Sequence, residues 1–111
     1  MKSKLTMNKD GDMFYRLPNG DYHRENRPAI ERSNGYKAWY INGLRHREDG
    51  PAFELIDGYK AWYIDGKLHR EDGPAIEYSG GDKSWYLNGI FHTKNEYKFE
   101  MRSKKLEQLL K

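Results

Sequence analysis

The stretch Trp39-Tyr-Ile-Asn-Gly-Leu-Arg-His-Arg-Glu-Asp-Gly-Pro-Ala52 decides the fold, because it returns as Trp62-Tyr-Ile-Asp-Gly-Lys-Leu-His-Arg-Glu-Asp-Gly-Pro-Ala75. The seven residues from His46 to Ala52 are identical in the two copies. A weaker form, His23-Arg-Glu-Asn-Arg-Pro-Ala29, lies upstream. Trp39, Trp62 and Trp85 are 23 residues apart, and so are His23, His46, His69 and His92. Two turn dipeptides keep the same period. One is Asn19-Gly20, Asn42-Gly43, Asp65-Gly66 and Asn88-Gly89; the other is Asn34-Gly35, Asp57-Gly58 and Gly80-Gly81. Self-similarity at a fixed period of this length marks a repeat architecture.

Each unit reads as hairpins. Asn-Gly and Asp-Gly supply the two positive-φ residues of a type I′ turn. A two-residue turn at Asp57-Gly58 would set Ile56 against Tyr59 and Phe53 against Trp62. The same arithmetic sets Ile30 against Trp39 and Ile76 against Trp85. Side chains alternate across a strand. One face is therefore expected to carry Ile30, Phe53, Ile76 and the three Trp, with Trp62 buried at the centre. The opposite face would carry Glu31, Glu54, Glu77, Tyr40, Tyr63 and Tyr86. The second turn, at Asp65-Gly66, folds Trp62 opposite His69, with Trp39 and Trp85 likewise meeting His46 and His92. Pro51 and Pro74 lack an amide donor and belong at strand starts.

Composition agrees with a thin, single-layer body. The 111 residues fall below the ~150 expected per domain and indicate one domain. Nine Leu, six Ile, four Phe and no Val leave few aliphatic side chains, and nine Tyr and three Trp replace them. The formal charge of +3 is too small to argue by itself for a nucleic-acid binder. The absence of Cys excludes disulfides and thiolate metal sites. No apolar run reaches the ~18 residues of a membrane span, and the polar N-terminus has no signal-peptide core. A soluble, cytoplasmic protein is the expectation.

Three segments follow. Residues 1–12 are expected to be flexible, residues 13–93 to form the hairpin repeat domain, and residues 94–111 to form a helix. Thr93-Lys-Asn-Glu96 has the form of a capping box. Phe99, Leu106 and Leu110 share one helical face, with Leu109 beside it, and this face is expected to cover the last strand edge. The fold class is an elongated antiparallel β-meander of stacked hairpins with a short C-terminal helix.

The unit, with its Trp-Tyr strand, Asn-Gly turn, basic residue, His, and second strand ending in Asp-Gly, resembles the MORN repeat over roughly residues 14 to 93. It differs at Arg24, Arg47 and Arg70, where the family has Gly after the His. It differs also in the acidic pair before Gly50 and Gly73. It looks more like a divergent variant with a His-Arg-Glu-Asp-Gly-Pro-Ala signature, seen in bacterial and bacteriophage proteins. The resemblance implies a meander of hairpins and a role in protein scaffolding or, in some members, contact with membrane lipids.

Repeated residues are the candidates for function. Arg24, Arg47 and Arg70, with Glu48, Asp49, Glu71 and Asp72, form loops along one edge of the sheet. These Arg are expected to be exposed and outside the aromatic core, available as contact residues. Tyr40, Tyr63 and Tyr86 form a second row suited to a partner surface. The four His are expected to pack on Trp and bond to turn carboxylates or backbone. Successive copies lie too far apart to share one metal. No nucleophile elbow, phosphate loop or His-Glu-x-x-His occurs, and no copy of any residue is singled out. The expectation is a non-enzymatic module without cofactor or metal that binds another protein. The alternatives are a nucleic-acid or nucleotide binder using the repeated Arg and the basic helix, or a structural assembly component.

Overall fold

A computed structural model describes residues 2–111 and shows an antiparallel β-meander ending in one helix. The body is elongated, 51 × 35 × 18 Å along its principal axes. Thirteen strands precede α1 (Lys94–Leu109). Nine of them form one sheet, in the order β1 (Lys4–Met7), β2 (Met13–Arg16), β3 (Ile30–Glu31), β4 (Lys37–Ala38), β7 (Phe53–Glu54), β8 (Lys60–Ala61), β11 (Ile76–Glu77), β12 (Lys83–Leu87) and β13 (Ile90–His92). The other four make two short hairpins, β5 (Tyr40–Ile41) with β6 (Leu44–Arg45), and β9 (Tyr63–Ile64) with β10 (Lys67–Leu68). Strand β1 lies in the segment expected to be frayed; it pairs in full with β2, from Lys4↔Arg16 to Met7↔Met13.

The two turn dipeptides fold differently. At Asn42-Gly43, Asp65-Gly66 and Asn88-Gly89 both residues have positive φ, as type I′ turns require. These turns pair Trp85 with His92 directly, and the His46 and His69 amides donate to the Trp39 and Trp62 carbonyls. At Asn34-Gly35, Asp57-Gly58 and Gly80-Gly81 only the second residue has positive φ. There Gly58 donates to the Leu55 carbonyl and Leu55 to the Tyr59 carbonyl. This is a three-residue loop, a type I turn closed by a left-handed Gly. The Asp57 carboxylate fixes it by accepting from the Tyr59 amide at 3.0 Å.

The extra loop residue moves the pairing by one and corrects the expected register. Phe53 lies between Ala38 and Ala61, not beside a Trp. Across the sheet one row reads Phe14, Ile30, Ala38, Phe53, Ala61, Ile76, Ser84. Small side chains sit among large ones, as interdigitation on strands ~4.8 Å apart demands. The expected Ile–Trp and Phe–Trp pairs would crowd two bulky groups at each step. The neighbouring row, on the other face, alternates in charge: Glu31, Lys37, Glu54, Lys60, Glu77, Lys83. These Glu face Lys, and Tyr40, Tyr63 and Tyr86 are on the face of Phe53 instead.

The core is thin. Ala29, Ala38, Ala52, Ala61 and Ala75 are fully buried, with Ile30, Ile76 and Trp39 nearly so. Trp62 is half-buried, contrary to expectation, and its amide donates to the Ala75 carbonyl.

Successive short hairpins are joined by a repeated set of bonds. The Gly66 amide donates to the Arg45 carbonyl, and the Arg47 amide donates to the Tyr63 carbonyl. His23, His46 and His69 each accept, at Nδ1, the turn amide 19 residues on: Asn42, Asp65 and Asn88, at 2.9–3.0 Å. The last unit ends this pattern. The Thr93 amide donates to the Glu96 carboxylate at 2.8 Å, where the corresponding Arg amides of earlier units find a following carbonyl. The capping box thus closes the stack and starts the helix.

The observed register predicts that Ala61→Leu overpacks a closed site between Phe53 and Ile76. It should destabilise the protein by about 1–3 kcal/mol in chemical denaturation. A melt equal to the parent's would restore the expected Glu54–Ala61 pairing.

Candidate interaction surfaces

The repeated Arg are built into the fold. The Arg47 guanidinium lies 4.0 Å over the Trp39 ring and the Arg70 guanidinium 3.8 Å over Trp62. Each donates to the carbonyl of the Pro four residues on, Pro51 and Pro74, at 3.1 Å. Each also donates from Nε to Asp49 or Asp72, at 3.1 and 2.9 Å. Arg70 further pairs with Glu77 at 2.9 Å. Gly50 and Gly73 make room for this clamp: a Cβ on either would stand 2.9 Å from the guanidinium carbon.

Arg24 repeats the clamp with a change of ring. It lies 3.9 Å over Tyr15, donates to the Pro28 carbonyl and pairs with Glu31 at 3.5 Å. Tyr15 takes the Trp position because its hairpin closes through Pro18-Asn19-Gly20, one residue longer than the later turns. Gly20 donates to the Leu17 carbonyl and only Gly20 has positive φ there. The expectation of exposed Arg outside the aromatic core is therefore corrected. Their charge is met within the loop, and the outward groups are Glu48, Asp49 and Asp72, at 84, 88 and 87% side-chain exposure.

The helix packs beside these loops. The Tyr97 hydroxyl donates to the Arg70 carbonyl at 2.6 Å and accepts from the Gly73 amide at 3.2 Å. Lys94 stands over Trp85, and Lys104 donates to Glu71 at 2.9 Å. The Lys104 hydrogen bond, followed by that of His69, holds the Glu71 carboxyl below its ordinary range. Burial pushes the Tyr97 hydroxyl up. A groove is left between the loops and the helix. Glu48, Asp49 and Asp72 line one wall, Arg102 and Lys105 the other, with Trp62 among its lining residues.

The Tyr row lies on the other face. Arg45 is the organiser that the sequence reading missed. Its guanidinium rests 4.6 Å over Phe53 and donates to the Tyr40 and Tyr63 hydroxyls, both at 3.3 Å. Phe53 continues edge-to-face into Tyr36 and Tyr59, and Tyr59 into Tyr78. At one end Arg16 lies over Tyr22 and Arg32 over Tyr36. At the other Tyr86 meets Phe91. Burial holds the Tyr59 hydroxyl above its ordinary range. Arg45 is not part of the identical stretch, since Leu68 and Phe91 stand at its place in later units. Its role therefore left no periodic signal.

The predicted site residues thus divide. Arg47, Glu48, Asp49, Arg70, Glu71 and Asp72 meet at the groove. Arg24 sits one unit away in its own clamp, and Tyr40, Tyr63 and Tyr86 are on the opposite side of the sheet. His46 and His69 oppose Trp and bond as expected, with Nε2 against Glu48 and Glu71 at 3.3 and 3.0 Å. Among the described residues no group of three or more His, Cys, Asp or Glu is placed to hold a metal ion, and no helix is long and apolar enough to cross a membrane. Compared with known protein families, curated proteins and solved structures, the chain matches none.

Two outcomes follow from the clamp. Arg47→Glu with Arg70→Glu should strongly destabilise the repeats: each site loses a cation–π contact and a charged hydrogen bond, about 2–5 kcal/mol per site. The thermal midpoint should fall by several degrees or more, read by circular dichroism. The Glu71 carboxyl is more acidic folded than unfolded, so its contribution is present above the ordinary carboxylate range. It is lost as pH falls through its lowered value. Glu71→Gln should flatten that part of the stability–pH curve below about pH 5.

Proposed function

We propose that the chain is a non-enzymatic module of MORN-like repeats that binds another protein through its Tyr–Arg face. One observation carries this reading. Ten aromatic side chains share one face of a single-layer sheet: Phe14, Tyr22, Tyr36, Tyr40, Phe53, Tyr59, Tyr63, Tyr78, Tyr86 and Phe91. Arg16, Arg32 and Arg45 are interleaved with them, and the helix and the Arg–Trp clamps take the other face. Tyr and Arg are enriched in protein interfaces and among their strongest contacts. They are rigid or pre-organised here, which reduces the entropy lost on binding. A repeated row also suits an extended partner. The resemblance to the bacterial and bacteriophage variant adds a setting: an accessory protein acting on a protein of the host.

A second reading rests on the same face. Arg interleaved with aromatic rings also fits single-stranded nucleic acid, which stacks its bases on rings and pairs its phosphates with cations. It replaces the idea that Arg24, Arg47 and Arg70 carry nucleic acid, since those guanidinium groups are engaged within the fold.

Capture from a host lysate with Tyr63→Ala plus Tyr78→Ala, against the parent, tests the proposal. Partner recovery should fall at least about tenfold, since hot-spot aromatics contribute ~2 kcal/mol or more, while unfolding stays cooperative. Glu48→Ala with Asp72→Ala should bind as the parent does. The reverse pattern would move the site to the loop groove. Binding of a labelled oligonucleotide that falls steeply with salt would favour the second reading.

A further inference from the structure

The helix presents its apolar stripe away from the body. At 3.6 residues per turn, Tyr97, Met101, Lys104 and Gln108 share one side of α1. Tyr97 is buried in the loop contact, Lys104 bonds Glu71, and Met101 and Gln108 line the groove. Phe99, Leu106 and Leu110 lie half a turn round from that side. They are 67, 56 and 87% exposed, with Leu109 beside them at 79%. The stripe expected to cover a strand edge faces solvent instead. The body is held by a Tyr hydroxyl and a Lys–Glu pair.

Charge is sorted along the stripe. Glu96, Glu100 and Glu107 all fall on one flank, and Lys98, Arg102 and Lys105 on the other. The spacing fits the heptad pattern of a coiled coil, with Phe99 and Leu106 at d, Ser103 and Leu110 at a, Arg102 at g and Glu107 at e. Among the described residues Arg102 and Glu107 have no ion-pair partner.

We infer that α1 is a dimerisation element that pairs in parallel with α1 of a second copy of this chain. The charge order selects both the occupant and its direction. In a parallel two-fold pair Arg102 at g of one helix reaches Glu107 at e of the second copy, the g-to-e′ step. In an antiparallel pair acid meets acid and base meets base. Phe99, Leu106 and Leu110 border neither cleft between the helix and the body, whereas Ser103 and Glu107 border the cleft beside Ile90 and His92, and Arg102 borders the loop groove. The seam is short for a coiled coil, about two heptads, but its helix is already formed. The capping box and the Tyr97 contact fix it before association, so little ordering remains to be done. A closed two-fold dimer is also the commonest oligomer of soluble chains. The inference is independent of what the Tyr–Arg face binds.

Sedimentation equilibrium or light scattering across a concentration series tests it. The mass should rise from 13.2 kDa toward twice that value. Leu106→Lys, at an exposed position, should hold the chain at the monomer mass and melt as the parent does at concentrations where the parent is monomeric. Glu107→Arg and Arg102→Glu should each raise the dissociation constant by roughly tenfold, through lost attraction and like charges at both ends of the pair. An equimolar mixture of these two variants should associate as tightly as the parent, because each supplies the charge the other lacks. The chain has no Cys, so Leu110→Cys reports direction: oxidation should link two copies, as only a parallel pair brings the two ends together. A monomer up to millimolar concentration overturns the inference, as does a Leu106→Lys variant that dimerises. Mixing without rescue, or a dimer that fails to cross-link through residue 110, overturns the parallel pairing.

Discussion

The contact on which the structure depends is a guanidinium laid over an aromatic ring and tied to a Pro carbonyl. In each of three units an Arg covers Tyr15, Trp39 or Trp62 at 3.8–4.0 Å and holds the loop that returns the chain to the sheet. A single-layer sheet whose five central strands have two residues each cannot bury much apolar area, and its fully buried residues are alanines. Planar cations compensate. They cover the rings, bond the loop backbone and pair with local carboxylates at once, which a shorter or less planar cation could not do. At Gly50 and Gly73 the guanidinium occupies the space a Cβ would take, while in the Arg24 unit Arg27 stands at the corresponding position.

This arrangement gives the two faces different tasks. On the clamp face, charge is met internally: Arg47 and Arg70 on Asp49 and Asp72, Arg24 and Arg70 on Glu31 and Glu77, and His46 and His69 on Glu48 and Glu71. On the other face Arg45 is wedged among Tyr40, Phe53 and Tyr63. That face offers aromatic edges and hydroxyls with interleaved positive charge, and it carries the function proposed for the module. The helix adds a third surface at one end, separate from both.

The two ends of the repeat are bonded differently from its interior. Each internal unit bonds to the next through a turn amide, an Arg amide and a His nitrogen. At the C-terminal end Glu96 receives the Thr93 amide, and His92 turns its Nδ1 to the Ile90 carbonyl at 2.9 Å. At the other end the longer Pro18-Asn19-Gly20 loop uses the Gly20 amide inside its own turn. Neither end copies the joint between units.

The period, the hairpin architecture, the Trp–His pairing, the type I′ turns at Asn42, Asp65 and Asn88, and the capped helix are legible in the residues alone. Each follows from a local signal: identical spacing, an Asn-Gly or Asp-Gly pair, or Thr and Glu three residues apart. The register of the other hairpins is not legible there, because Asp57-Gly58 and Asp65-Gly66 are the same dipeptide. Packing of large against small side chains settled which loop length each adopts. From that one-residue shift followed the faces of Glu54 and Tyr63. Packing against the Trp rings, invisible in a loop sequence, turned Arg47 and Arg70 inward. Contact with the sheet also chose which side of the helix to bury. A Tyr hydroxyl that satisfies two backbone groups of the loop, together with a Lys–Glu pair, directed the body to Tyr97 and Lys104. The apolar stripe, half a turn round the helix, stayed free.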